Sequence, residues 1–273
     1  MNSRTSRRLI LGATLVVAMA ASLAPLLLGA TVALTSAQQF AHEGIGLPAP
    51  WTLDNFGALF SDPATFLSPM LVTLAAGVVI AVLQTVSSVM AAYAISRFAF
   101  VGRRVFIVVL AAAYAVPPVT TVIPLYMGFV GAGLSGTFWA LVIPLVLASP
   151  YAIFLLTQWM RGVPSDVVDA ARVDGGSHAT VLLRVVVPMV RPAIATVALV
   201  TFVSTWNSYL WPRLIAGVQL PQVQVAVASL QTQYDSNWTL VMAAATLSVL
   251  PPAIVAVVLH RPLSVGIETG VAR

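Results

Sequence analysis

The sequence predicts an all-α polytopic membrane protein with six transmembrane helices and both termini on the cytoplasmic side. Three observations carry that expectation. Of 273 residues, 59% are hydrophobic and 8% charged, against roughly 45–50% and about 25% in soluble domains. A water-soluble fold of this length could not cover its surface with 13 basic and 8 acidic side chains, and the apolar excess is the opposite of a disordered composition. Second, six charge-free windows approach or exceed the roughly 20 residues that cross a hydrocarbon core of about 30 Å. Third, all thirteen basic residues are Arg, and threading six spans from an inside N-terminus leaves twelve of them inside and only Arg213 outside. That bias is the positive-inside signature. It also explains the basic net charge without nucleic acid.

The first span runs from Leu9 to about Leu34, behind Arg4, Arg7 and Arg8. A cleaved signal peptide is the alternative, with Thr35-Ser36-Ala37 as its small-residue site. The apolar run is far longer than the roughly 7–15 residues of a signal core, which favours a retained helix. Residues 35–66 hold Glu43, Asp54 and Asp62, no Arg, and Pro48, Pro50 and Pro63. They form an outside loop with a short interfacial helix near Trp51–Phe60. The second span, Leu67–Ile95, ends at the basic turn Arg97, Arg103, Arg104. The third, Val105–Val130, contains Pro117, Pro118 and Pro124 and is expected to kink or unwind. After the turn Gly131–Gly136 comes the fourth span, Thr137–Met160, with Pro144 and Pro150 inside. Residues 161–191 are a polar loop with Arg161, Arg172, Arg184, Arg191, Asp166, Asp169 and Asp174. The fifth span is Pro192–Trp211. A mixed segment, 212–238, carries Arg213 and Asp235. The sixth span is Thr239–Leu259, with Pro251-Pro252, and the tail holds His260, Arg261, Glu268 and Arg273. Two divisions follow: 1–66, a transmembrane helix with its outside loop, and 67–273, a transmembrane core carrying the 161–191 loop. No internal repeat is visible.

Several chemistries are excluded. With no Cys, there is no disulfide, zinc-thiolate or thiol nucleophile. No His-Glu-x-x-His or Gly-x-Ser-x-Gly signature occurs, so no catalytic residue and no metal site is assigned, and the chain is not read as an enzyme. No charged residue sits in a span, which disfavours an ion-coupled secondary transporter. Asn237-Trp238-Thr239 fits a glycosylation acceptor only by chance.

The 161–191 loop is structured. Ser165 is a good N-cap, Asp166 suits a first turn, and Gly175 can take the left-handed conformation that ends a helix. Ser177 can cap a second helix from His178 to about Val187, stopped by Pro188. Val167, Ala170, Ala171 and Asp174 share one face of the first helix. A helix this short is unstable alone, so something holds it: lipid, or a groove on a soluble partner. The loop's net charge of +1, four Arg against three Asp, is too small for a DNA-binding helix-turn-helix.

The run Asp169-Ala170-Ala171-Arg172-Val173-Asp174-Gly175, followed by Pro188-Met189-Val190-Arg191-Pro192, resembles the EAA loop of binding-protein-dependent ABC importer permeases. Two positions depart from it: Asp169 replaces the usual Glu, and Gly176 the usual Ala. The resemblance extends to Asn55-Phe56, to Ala91–Phe100 with Gly102-Arg103, to Trp206-Asn207-Ser208-Tyr209-Leu210-Trp211-Pro212, and to the tail Gly266–Arg273. The last two are similar to the carbohydrate and glycerol-phosphate subgroup, and within it to the shorter six-span partner of a maltose-type heterodimer. The resemblance implies the type I ABC importer permease fold in a bacterial plasma membrane. It implies a second permease subunit, an ATPase dimer that holds ATP and Mg, and an extracytoplasmic solute-binding protein, with no cofactor on this chain. The coupling loop would then use Asp169, Ala170, Ala171, Asp174, Gly175 and Pro188. The solute would be a sugar or sugar derivative, with a glycerol-phosphate-type solute as the alternative and an ATPase-independent channel or transporter as the competing class.

Polar groups inside spans usually face protein or water. Gln84, Thr120, Thr121, Gln158 and Asn207 are such groups. Gln84, Trp206, Asn207 and Tyr209 are the substrate-path candidates, amide plus aromatic face suiting a sugar. The competing reading of the aromatics is an interfacial belt at the outer surface.

Overall fold

The computed structural model describes residues 3–217, 219–231 and 237–270, with side chains described from 11 to 259. Asp235 and Arg273 of the residues named above lie outside the described residues, as do the side chains of Arg4, Arg7, Arg8, His260, Arg261 and Glu268 and most of the tail resemblance at 266–273.

The regular elements are helical among the described residues. Three helices hold segments long and apolar enough to cross a membrane unbroken: α1 (Ser3–Ala33), α4 (Leu67–Arg97) and α15 (Trp238–Gly270). Three bent pairs, each counted as one broken span, bring the number of crossings to as many as six. The first is α5 (Arg103–Ala115) with α6 (Pro118–Gly131). The second is α7 (Phe138–Val142), extended by a 3-10 turn over Ile143–Leu145, with α8 (Pro150–Arg161). The third pairs α10 (His178–Val181) and α11 (Val187–Met189) with α12 (Arg191–Trp206). Only helices are expected in hydrocarbon, because each backbone group must be satisfied internally.

The chain divides into two compact units. In the unit of Met1–Met70 and Ala226–Leu250, the outside loop holds α2 (Ala37–Glu43) and α3 (Asp54–Ser61). The second is the short helix expected near Trp51–Phe60. The first was not legible in its apolar pattern, although Ser36 caps it by accepting from the Gln39 amide. A buried Asn55 ties this end together. Its Nδ2 donates to the carbonyls of Ala33 (2.8 Å) and Thr35 (2.9 Å), and its Oδ1 accepts from the Thr239 hydroxyl (2.9 Å). The carbonyls just past α1 have no helical partner, and Asn55 supplies it. Asn55→Leu should therefore destabilise the detergent-solubilised chain by on the order of 2–3 kcal/mol, read as a lower thermal midpoint. Asn237 is used locally: its Oδ1 accepts from the Leu240 amide at 3.2 Å, capping α15.

The unit of Leu71–Val225 and Pro251–Arg273 contains the bent pairs. In the third crossing α5 and α6 meet at 96°. The break falls at Val116-Pro117, both extended (ψ 122° and 128°), because a residue before Pro is pushed out of the α region. Pro124 lies within α6 without ending it. The fourth crossing is not one helix, as expected over Thr137–Met160, but two pieces at 44° separated at 146–149. Ser149, before Pro150, is extended (ψ 138°), the same effect. The fifth does not reach Trp211: α12 stops at Trp206, and α13 (Leu210–Ile215) and α14 (Val223–Ser229) follow. Asn207 sits at that stop, its Nδ2 donating to the Val203 carbonyl at 3.0 Å. This side chain-to-backbone bond competes with the helix.

The loop helices also differ in detail from the expectation. The N-cap of α9 (Ser165–Val173) is Pro164, and Ser165 is its first helical residue with no capping bond. Pro188 does not stop the second helix. Leu182–Val186 forms a π-turn that continues into α11, and the chain turns by 82° only at Val190. The Val187 amide bonds five residues back, to Leu182. Widening the helix there relieves the clash between the Pro188 ring and the preceding turn.

Candidate functional site

Two features of the second unit draw together residues able to act. The first is the cytoplasmic loop. Its helix α9 ends in a full Schellman motif: Gly175 stands at φ +81°, its amide donates to Arg172, and the Gly176 amide donates to Ala171 at 3.0 Å. Both glycines are required locally. Gly175 needs the left-handed region. A Cβ on Gly176 would lie 2.5 Å from the Ala171 carbonyl oxygen, so the second departure from the EAA pattern lets the backbone close tightly.

The back of α9 is anchored. Val168 is buried in a cluster with Val163, Val181, Val186 and Met160, and Ala171 packs against it. Ser177 caps α10 by accepting from the Thr180 amide at 3.2 Å. Arg172 lies 2.7 Å from Nδ1 of His178, whose ring packs on Phe98. Arg97, at the end of α4, donates from Nη2 to the carbonyls of Met160 (2.8 Å) and Val163 (2.9 Å). These carbonyls lie at the C-terminal end of α8, where a cation also suits the helix dipole. Arg97 was not among the expected functional residues. Its basic-turn position was visible, but its partners are more than sixty residues away.

The front of α9 is bare. Val173 is 87% and Val167 43% exposed, and Asp169, Ala170, Asp174 and Gly175 are exposed with them. Ala171, expected on the same face as Ala170, is turned toward the core instead. Pro188 is part-buried and lies within α11 rather than α9.

The second feature is a cavity of about 730 Å³ where the broken fourth crossing passes α4 and α12. Breaking a helix leaves carbonyls without partners, and α4 supplies them. Gln84 Nε2 donates to the Leu145 carbonyl at 2.7 Å, and the Ser87 hydroxyl to that of Val146 at 3.2 Å. Gln84 Oε1 in turn accepts from the Thr201 hydroxyl at 2.8 Å. Gln84 is thus a cavity-wall residue with its amide engaged in the fold.

The other path candidates lie elsewhere. Trp206 is buried, 1% exposed, and stacks on Phe202 with centroids 5.7 Å apart. Asn207 and Tyr209 are exposed beyond the end of α12 and do not line the cavity. Trp211 is structural, donating from Nε1 to the Ala140 carbonyl at 3.1 Å. Thr120 and Thr121 donate to Pro117 and Pro118 in the first turn of α6, and Gln158 is exposed. The cavity instead takes Ser204, Thr205 and Ser208 from α12 and its end. With Thr201 these fall at 0, +3, +4 and +7, one helical face. That stripe was legible in the sequence and is the signal that could have found them.

The comparisons with known proteins agree with this architecture. Residues 84–267 match the family described as binding-protein-dependent transport system inner membrane component. The chain is 31% identical over 235 residues to the diacetylchitobiose uptake system permease protein NgcG of Streptomyces coelicolor, covering 83% of this chain and 76% of that one. It is 26% identical over 224 residues to the arabinooligosaccharides transport system permease protein AraQ of Halalkalibacterium halodurans, covering 82% and 80%. Among solved structures it is similar in fold to a chain of a bacterial ABC transporter involved in the import of the acidic polysaccharide alginate. The TM-score is 0.80 at 24% identity, over 96% of this chain and 98% of that one. The family match covers most of the transmembrane core, including the 161–191 loop and every residue of the cavity wall except Ile80. The chain belongs to the family of binding-protein-dependent transport system inner membrane components, the multi-pass permease subunits of ABC importers.

Proposed function

We propose that this chain is one of two permease subunits of an ATP-driven importer for a sugar or sugar derivative, driven through α9 by a separate ATPase. The observation that carries the coupling role is the contrast between the two sides of α9. Its back is fixed by Val168, the Schellman turn and the Arg97 clamp, while its exposed side carries the apolar Val173 one turn from Asp169, with Val167 exposed at the start of the helix. A helix fixed from behind and apolar in front suits the helix-in-groove mode. Asp169 would accept hydrogen bonds from the partner, and Ala170 allows close approach. ATP and Mg would be held and hydrolysed on the partner ATPase dimer, and an extracytoplasmic binding protein would deliver the solute. The sugar class rests on the relatives named for arabinooligosaccharides and diacetylchitobiose.

Photo-crosslinking tests the coupling role. A benzoylphenylalanine in place of Val173 should give an adduct with an ATP-binding chain on irradiation of native membranes. The same group in place of the exposed Val82 on α4 should give none. An adduct at 173 with lipid alone would refute docking.

A further inference from the structure

The importer reading leaves open what kind of solute this chain touches, and the cavity beside the broken fourth crossing speaks to that. Unwound backbone at membrane depth is tolerated where it is buried in protein or lines a water-filled space. Here the 146–149 segment borders a cavity of about 730 Å³, within the roughly 300–1,000 Å³ of small-molecule sites. Discontinuous helices also mark the solute sites of many transporters.

We propose that this cavity is a solute-contact surface belonging to this chain, and that the solute it accepts is uncharged and hydroxyl-rich, a neutral oligosaccharide rather than a sugar phosphate or a uronate. The proposal rests on the importer reading above. Its wall has polar groups in quantity, among them Ser149, Ser204, Thr205, Ser208, Tyr114 and Tyr151, and no Arg, His, Asp or Glu. A serine hydroxyl both donates and accepts, as a sugar hydroxyl does. A tyrosine offers an apolar face to the C–H side of a sugar ring and a polar tip to its hydroxyls. A carboxylate or phosphate would leave water for a wall that offers it no counter-charge, which is expensive. The N-terminus of α8 lies at the wall and carries only about half a charge. That end is already capped, since the Ser149 hydroxyl accepts from the Ala152 amide at 3.4 Å.

The chain contains no Cys, so a single introduced thiol reports cleanly. The test uses the complete complex in nanodiscs with its binding protein and, where needed, a cysteine-free ATPase. Trehalose, diacetylchitobiose, arabinotriose, glycerol 3-phosphate and an alginate trimer are first compared for stimulation of ATP hydrolysis. The stimulating solute is then tested for protection of Ser204→Cys against a small thiol reagent. Val101→Cys, in the fully exposed turn after α4, serves as the control. The expected result is stimulation by a neutral sugar, with labelling at 204 slowed about tenfold at ten times Kd and unchanged at 101. Stimulation by glycerol 3-phosphate or the alginate trimer would overturn the neutral class. Stimulation by a neutral sugar without protection at 204 would overturn the contact surface and leave the importer reading intact. Stimulation by none of the five solutes would overturn the sugar reading and this proposal with it.

Discussion

Gly175→Val is expected to abolish solute uptake while the chain still reaches the membrane and binds its permease partner. Gly175 stands at φ +81° in the turn after α9. A residue with a Cβ there is strained by about 1–2 kcal/mol, and a β-branched one fares worse. The chain can relieve that strain only by unwinding the last turn of α9 or rotating it off Val168. Either movement misplaces Val173 and Asp169, the side chains proposed to meet the ATPase. The spans are assembled from elements elsewhere, so membrane insertion should be unchanged. Gly175→Asn separates strain from contact, because Asn visits the left-handed region far more readily than Val, and it should retain much of the uptake. Asp169→Lys should lose uptake with the turn intact, since it reverses charge on the front of α9. Uptake assays in cells, with membrane content measured by immunoblot, check all three. Normal uptake by both Gly175→Val and Asp169→Lys would contradict coupling through this helix.

Arg97→Ala should have the next largest effect, although Arg97 is part-buried behind the proposed docking surface. Its guanidinium holds the Met160 and Val163 carbonyls at 2.8 and 2.9 Å. Removing it leaves the Met160 carbonyl with only local amide donors such as that of Val163 at 3.3 Å, takes the donor from the Val163 carbonyl and deletes two charge-assisted bonds, a cost of roughly 2–4 kcal/mol. The loss falls where the fourth crossing hands over to the loop. The expected outcome is a lower thermal midpoint, together with uptake reduced at least tenfold and more ATP hydrolysed per solute moved. Arg97→Lys should fall between the two, because a compact ammonium does not reproduce the planar fork. A variant that loses thermal stability but keeps a normal ratio of hydrolysis to uptake would reduce Arg97 to a purely structural clamp.

How much of this was legible depends on how local the cause was. The positions of the crossings followed from hydropathy and their orientation from Arg placement, both properties of short windows. The two loop helices and the glycine that ends the first were equally local. A left-handed turn after Asp174 needs only its own residues, and the structure gives Gly175 φ +81°. The broken third crossing was foreseeable from Pro117-Pro118, since the effect of proline reaches one residue back. Ser165 and Pro188 were misjudged within the same local grammar. The helix begins one residue earlier than Ser165 as a cap would place it, and a π-turn before Pro188 replaced a stop.

The residues that line the cavity belong to another kind of question. Gln84 was legible as a polar residue inside a span. Its partners, Leu145 and Thr201, stand 61 and 117 residues away, and no window of sequence contains them. Trp206 and Ser208 are near neighbours in one motif, yet one is buried against Phe202 and the other faces the cavity, because the end of α12 at Asn207 sets which way each points. Arg97 could be counted as an inside charge but not identified as the clamp on α8. The sequence by itself determined the membrane class, the number and sense of the crossings and the local form of the loop, since these depend on transfer free energy and on backbone preferences within a few residues. Only the tertiary structure decided which side of α9 is bare and which hydroxyls share a cavity, because these depend on which distant segments satisfy one another's orphaned carbonyls.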